Sequence, residues 1–210
     1  MTHRAHSAFQ GRPYAPDPFG RGAQNRTRIA QTAAKLIAEH GLADWSLAKR
    51  KAARQLMLSE RDGLPGDDEI EAALIAYHEL FGGDSHRRQL RTQREEALGW
   101  MQNLAAFQPV LIGGVAEGWA TAHSDIRLEL TALDEKAVAL ALLNLDVSYR
   151  TLPEQREGAA DLWFETASGG VRLTIRSPAA ARQQPRRDRH GVAAARYDAV
   201  QLASLLAGPD

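Results

Sequence analysis

The sequence predicts an α+β fold, with a helical amino-terminal region followed by a small mixed sheet that carries helices. Apolar residues recur every three or four positions through most of residues 25–108, which is the spacing of amphipathic helices. Beyond that region, short apolar or alternating runs separated by glycine-containing turns indicate strands, with one apolar helix between them. We therefore divide the chain into a tail, 1–24, a helical region, 25–108, and an α/β domain, 109–207.

Composition excludes several classes of protein. The chain has 210 residues, of which 44% are hydrophobic, and this is enough to bury a core. Its 26 basic and 26 acidic residues give no net charge, so attraction to nucleic acid must come from local patches. Cysteine is absent, which removes thiol chemistry and is compatible with the cytoplasm, where we expect the protein. No apolar run approaches the roughly 18 residues of a membrane span and no secretory signal is visible, so we expect no membrane partner.

The amino-terminal tail contains three prolines and several glycines without a helical or strand period, which predicts disorder. Four amphipathic segments follow it, and glycine or proline stands near most of their ends. The predicted helices start near Arg26, Ser46, Asp67 and Ser85 and end near Gly41, Leu58, Phe81 and Phe107. In the fourth of them, the arginines expected to be exposed are Arg87, Arg88, Arg91 and Arg94.

The second predicted helix is a candidate contact for nucleic acid. The first helix, IAQTAAKLIAEHG, resembles the opening helix of tetracycline-repressor-type DNA-binding domains, and this resemblance implies that the segment after it contacts DNA. That segment runs from residue 47 to 58 without the glycine turn that would divide it into two short helices. A basic but merely solvated helix face is the alternative. The basic side chains concerned are Lys49, Arg50, Lys51 and Arg54.

The stretch LIGGVAEGWATAHSDIRLEL, residues 111–130, carries the main candidate site. Its apolar start predicts a short buried strand, and Gly113 and Gly114 then allow a tight turn in which the backbone approaches a ligand closely. Such a turn, followed by a short helix, can present backbone N–H groups to a phosphate. The alternative is that the two glycines only let strand and helix pack together.

A second strand is predicted where Asp125, Arg127 and Glu129 alternate with apolar residues. Because side chains alternate between the two faces of a strand, these three charged groups should share one face while the apolar residues enter the core. The later elements predicted are a buried helix from Asp134 or Glu135, a strand 147–152, a hairpin around 167–170, a basic loop 177–195 and a last helix 197–206.

The glycine turn and the start of the charged strand, Ser124-Asp125-Ile126, together resemble the nucleotidyltransferase superfamily. Its polymerase-beta-like members carry Gly-Gly or Gly-Ser, a short helix, and a strand bearing Asp-x-Asp. The resemblance implies that Asp125 is a metal ligand and that further carboxylates would complete a Mg²⁺ site in an active member. Glu129 and Glu165 are the candidates for those carboxylates, so we treat all three as candidate catalytic residues.

Arg127 stands where the family has its second metal ligand. A guanidinium stays protonated and cannot coordinate a cation, but it suits phosphate. We therefore expect Gly113, Gly114 and Arg127 to bind phosphate, in a non-catalytic or regulatory module whose partner is a nucleotide or RNA. Two alternatives stay open: an active enzyme with altered ligands, for which Mg²⁺ would be the cofactor, and a DNA-binding regulator that uses residues 26–58.

Overall fold

The structure is a computed structural model that describes residues 20–42, 44–60, 63–153, 159–182 and 193–208. These residues form helices and a five-stranded mixed sheet, so the predicted α+β class is confirmed. The predicted tail lies almost entirely outside the described residues. No helix in the described part of the chain is long and apolar enough to cross a membrane.

The described part of the helical region contains four α-helices. α1 packs against both α2 and α3, and small or branched apolar side chains from these three helices form a buried cluster. The fourth helix, α4, instead packs against the sheet and joins its core. The helix bounds are α1 Arg21–His40, α2 Trp45–Gln55, α3 Asp67–Tyr77 and α4 Gly83–Asn103.

The ends of the first two helices differ from prediction in part. α1 begins at Arg21, so the residues up to Gln24 belong to a helix and not to a disordered tail. The predicted cap at Gly41 is confirmed, since this residue is left-handed and its N–H bonds to the last turn. α2 is capped by Asp44 and not by Ser46, because the Asp44 carboxylate accepts a backbone N–H of the first turn at 3.0 Å.

Between α3 and α4 the chain remains helical, but the type of helix changes from α to π. Residues His78–Gly82 form a π-helical turn, and α4 starts at Gly83, two positions before the predicted Ser85. Gly83 has φ 50° and ψ −151°, a conformation that glycine adopts without steric cost. α3 thus ends at Tyr77, before the predicted end near Phe81, and the non-helical backbone angles fall at Gly83.

The sheet has the strand order β1-β2-β5-β4-β3. β2 and β5 run parallel, and the other neighbouring strands are antiparallel. The predicted hairpin is confirmed, since β4 and β5 are joined by only two residues. The strand bounds are β1 Val110–Ile112, β2 Ile126–Thr131, β3 Arg150–Leu152, β4 Ala159–Thr166 and β5 Gly169–Arg176.

Short helices complete the α/β domain. α5 follows the glycine turn, and α8 packs against α4 and β1. The segment predicted as a basic loop contains the short helix α7, and much of its remainder lies outside the described residues. The helix bounds are α5 Gly114–Glu117, α6 Glu135–Asn144, α7 Pro178–Ala181 and α8 Ala199–Ala207.

The two faces of the sheet differ in chemistry. Ile126, Leu128 and Leu130 of β2 point into an apolar core, together with residues of β4, β5 and α4, as the alternation of β2 predicts. The opposite face carries charged residues and we call it the polar face. α6 is less buried than predicted, because only its Val138 and Leu142 are fully enclosed by the described residues.

Candidate functional site

Strand pairing brings basic residues from three strands of the polar face into one row. Arg127 of β2 is the register partner of Arg172 of β5, which is the partner of Trp163 of β4, which in turn is the partner of Arg150 of β3. Residues that are paired in register point to the same side of a sheet. We call these four residues the arginine row.

Arg127 is the available cation of this row. It is exposed and forms no hydrogen bond or ion pair with any residue that the structure describes. Burial by the surrounding protein lowers the pKa of Arg127, and Arg172 lowers it further, while Asp125 and Asp161 act in the opposite direction. Because the residue is exposed by surface area, we expect solvent to screen these effects and the guanidinium to stay charged.

The other two arginines of the row are engaged. Arg172 makes a short ion pair with the buried carboxylate of Asp161, which also accepts a hydrogen bond from Thr174 at 2.6 Å. Arg150 is exposed and places its guanidinium carbon 4.0 Å from the ring centroid of Trp163, a cation–π contact. The middle of the row is therefore fixed by its neighbours, whereas Arg127 at one end is not.

Asp125, the residue that the resemblance implies as a metal ligand, lies just before β2. Its Oδ1 accepts a hydrogen bond from Trp163 Nε1 at 3.1 Å. A side chain at Gly170 would overlap the same oxygen and the Trp163 ring, so a glycine here lets strand β5 pass beneath this contact. The β4–β5 hairpin, which no motif in the sequence connects to Asp125, thus positions this carboxylate.

Glu129 lies two residues after Arg127 on the same face of β2, and it is buried. Arg196 Nη2 donates to its carboxylate at 2.6 Å, and Arg176 Nη1 donates at 3.2 Å. Two guanidinium groups thus compensate one carboxylate. The sequence indicated neither partner, because Arg176 is the last residue of β5, two positions beyond the register partner of Glu129, and Arg196 comes from the segment before α8.

Glu165, the third candidate catalytic residue, is exposed on β4 and has Gly170 as its register partner. It makes no hydrogen bond or ion pair among the described residues. Asp125, Glu129 and Glu165 share a face without converging, and no group of three His, Asp or Glu side chains in the described ranges is arranged to hold a metal.

The glycines of the turn have different surroundings. Gly113 has φ 72° and ψ −157°, and a Cβ there would lie 3.2 Å from Cδ of Arg127, so the arginine stem crosses this residue. Gly114 is buried, and a Cβ there would lie 2.7 Å from the Trp119 ring. Close packing therefore accounts for Gly114, whereas Gly113 is the one next to the candidate phosphate ligand, Arg127.

Polar residues of α4 hold the turn in place. Arg94 Nε donates to the carbonyl of Val115 at 3.0 Å, and the buried Gln93 donates to the carbonyl of Thr121 at 3.1 Å. These bonds satisfy carbonyl groups at the end of α5 and in the loop after it. Arg94 is half-buried, so the prediction that it is exposed is wrong. Its position four residues after the buried Leu90 was the signal that it faces the protein.

The helical region reaches the same face through α3. Glu71 of α3 is half-buried, and burial raises its pKa to about 7, with smaller contributions from Glu117 and nearby aspartates. Arg127 acts in the opposite direction and favours the carboxylate. Glu71, whose pKa is near neutral, therefore lies within the electrostatic reach of Arg127. The periodicity of the sequence placed Glu71 on a helix but did not indicate this neighbour.

The basic helix α2 is partly neutralised by acidic neighbours. Lys49 Nζ lies 2.6 Å from Asp67, and Arg54 Nε lies 3.8 Å from Glu60. Arg50 is half-buried, while Lys51 is exposed. The four residues therefore do not form a uniformly free basic surface.

No family model matches the chain, and no curated protein is significantly similar to it.

Proposed function

We propose that this protein is a divergent nucleotidyltransferase-like module that binds a phosphate-bearing ligand, a nucleotide or RNA, on the polar face without catalysing transfer. Arg127 carries the proposal. Its charge has no contact partner among the described residues, and its stem lies over Gly113. A guanidinium held at a glycine turn suits a phosphate group, because both can donate hydrogen bonds to its oxygens.

The arginine row supports a ligand longer than one phosphate. Neighbouring strands lie about 4.8 Å apart, so the Cα atoms of Arg127 and Arg150 are separated by roughly 14 Å across three strand intervals. Trp163 lies between them and already contacts one guanidinium. Cations on both sides of an aromatic ring are suited to phosphates on both sides of a stacked base.

Arg127 also argues against a two-metal reaction at this position. A Mg²⁺ ion at Asp125 would face a fixed positive charge on the next outward position of the strand. The Asp125 carboxylate is bound to Trp163, and the next carboxylate along β2, Glu129, is engaged by two arginines.

The test measures the thermal stability of the full chain with ATP, tripolyphosphate or oligouridylate, each in EDTA. A ligand at ten times its dissociation constant adds about 1.4 kcal/mol, or roughly 3–6 °C in melting temperature for a chain of this size. We expect Arg127→Gln to abolish this shift. Arg88→Gln, which removes an exposed arginine of α4, should leave it unchanged.

The alternatives predict different outcomes in the same experiment. An equal shift in Arg127→Gln, or no shift with any probe, contradicts the proposal. Mg²⁺-dependent transfer of label from ATP that Asp125→Asn abolishes would favour the active enzyme. Tight, sequence-selective binding of duplex DNA that Lys51→Gln weakens would favour the regulator.

A further inference from the structure

Helix α6 has apolar residues on two sides. Val138 and Leu142 pack into the core of the sheet domain. On the other side, Leu140 and Leu143 are 59% and 56% exposed, and Leu133, just before the helix, is 92% exposed. A helix that is apolar on both sides is ordinarily buried on both sides. The described residues of one chain cover only one of them.

The exposed residues have the spacing of a helix-packing ridge. Leu133, Lys136, Leu140 and Leu143 follow one another at intervals of three or four, so the members within α6 lie along one side of it. Asp146 follows Leu143 by three residues, in the left-handed turn that ends the helix, and is also exposed. The side chains of Lys136 and Asp146 form no hydrogen bond or ion pair with the described residues. We call these five residues the α6 ridge.

We propose that the α6 ridge binds a second copy of this chain in an antiparallel, two-fold dimer. The ridge has a cation towards its start, two leucines in its middle and an anion at its end. A two-fold axis between Leu140 and Leu143 packs leucine against leucine and places Lys136 of each copy beside Asp146 of the other. The order of charged and apolar residues along the ridge is thus complementary to that of its own reversed copy.

A cavity at the end of the ridge supports the same arrangement. It has a volume of about 480 Å³ and is lined by residues 146–150 and 163–165 together with Trp100, so its wall is partly aromatic and partly polar. In antiparallel helices, Leu133 of the second copy lies at the carboxyl end of α6, which is the end where this cavity begins. The aromatic walls can then cover a leucine that is almost fully exposed in the single chain.

One helix and one cavity per copy make a small interface. The surface area that such a contact buries is smaller than in most stable complexes. We therefore expect a dissociation constant in the micromolar range.

The first test is sedimentation equilibrium of the full chain over a range of concentrations. We expect a reversible monomer–dimer equilibrium whose dissociation constant rises at least about tenfold in Leu140→Glu, because this change opposes two carboxylates at the centre of the contact. The matched control is Val200→Glu, since Val200 of α8 is 75% exposed and lies off the ridge. Circular dichroism checks that both variants are folded.

The second test addresses the pairing of charges. Lys136→Glu should weaken the dimer because it places two acidic groups at each end of the contact. Lys51→Glu, which changes an exposed residue of α2, should leave the dissociation constant unchanged. A wild type that stays monomeric at high micromolar concentration overturns the proposal. So does a dimer that Leu140→Glu leaves unchanged, or one that Val200→Glu dissociates in its place. An unchanged constant in Lys136→Glu excludes the antiparallel arrangement and with it the proposal.

Discussion

Arg127 and Glu129 are two residues apart on one strand and face the same side of the sheet, yet the protein treats their charges differently. Glu129 is buried and held by two arginines, while Arg127 is exposed and its guanidinium has no hydrogen-bond or ion-pair partner in the described chain. The first charge is saturated and stabilises the fold, whereas the second is free to bind. A charged strand face therefore does not identify a site until the partner of each charge is known.

The largest effect is expected from removing the saturated charge. Glu129→Gln leaves Arg176 and Arg196 half-buried beside each other without a counter-charge, and it should cost about 2–4 kcal/mol in the free energy of unfolding. Urea denaturation measures it. Glu165→Gln, which removes an exposed carboxylate from the same face, is the control and should change the free energy by less than about 0.5 kcal/mol. Equal costs in the two variants would show that Glu129 is not saturated in this sense.

The contrast between these charges was only partly predictable. Alternation along β2 correctly separated the charged residues from Ile126, Leu128 and Leu130, because a period of two depends only on local backbone geometry. The partners of Glu129 come from positions 47 and 67 residues further along the chain. No local pattern records such pairings, and they depend on strand register and on how the last segment returns to the sheet.

Helix positions were predicted better than helix environments. α6 starts at Glu135, one of its two predicted starts, and the Asp134 side chain caps it by accepting the N–H of Lys136. Its burial was overestimated, because apolar content alone does not tell which side of a helix meets the core. Arg94 shows the reverse error, since a long cationic side chain on the buried side of α4 serves the carbonyls of another element.

The glycine turn beside Arg127 allows a second comparison, between a glycine that packing requires and one that it does not. Gly114→Ala inserts a methyl group against the Trp119 ring and should cost about 1–3 kcal/mol, measured by urea denaturation. Gly99→Ala in α4 meets no atom within 4 Å and should stabilise the protein by up to about 1 kcal/mol. A Gly114 variant as stable as the wild type would mean that packing does not require this glycine. Its predicted role in phosphate binding would then be favoured.

Glu71, which lies near Arg127, should make the stability of the protein depend on pH. Burial raises its pKa from 4.5 to about 7, so the folded protein holds a proton that the unfolded chain releases between these values. The associated stability is fully present below pH 4.5 and is lost as the pH rises through 7. Glu71→Gln should therefore be more stable than the wild type at pH 8, by on the order of 1 kcal/mol after allowance for solvent screening, and similar to it at pH 4.5.

Thermal melts at the two pH values measure this effect, and Glu79→Gln, an exposed change on the π-helical turn, is the control. A difference between Glu71→Gln and the wild type that does not depend on pH would show that Glu71 does not titrate in this range.

The smallest change in stability is expected for Arg127→Gln, and this small value is what separates the two charges most clearly. A guanidinium without a contact partner contributes little to folding, and its interactions with Asp125 and Asp161 are opposed by repulsion from Arg172 and by burial. The free energy of unfolding should change by less than about 0.5 kcal/mol without ligand. The same substitution should remove ligand-dependent stabilisation. Arg127→Gln should therefore change little in urea denaturation without ligand and abolish the thermal shift with ligand. If Arg127→Gln instead costs as much as Glu129→Gln in urea denaturation, Arg127 is a structural residue, and the polar face has no free cation in the arginine row for a phosphate.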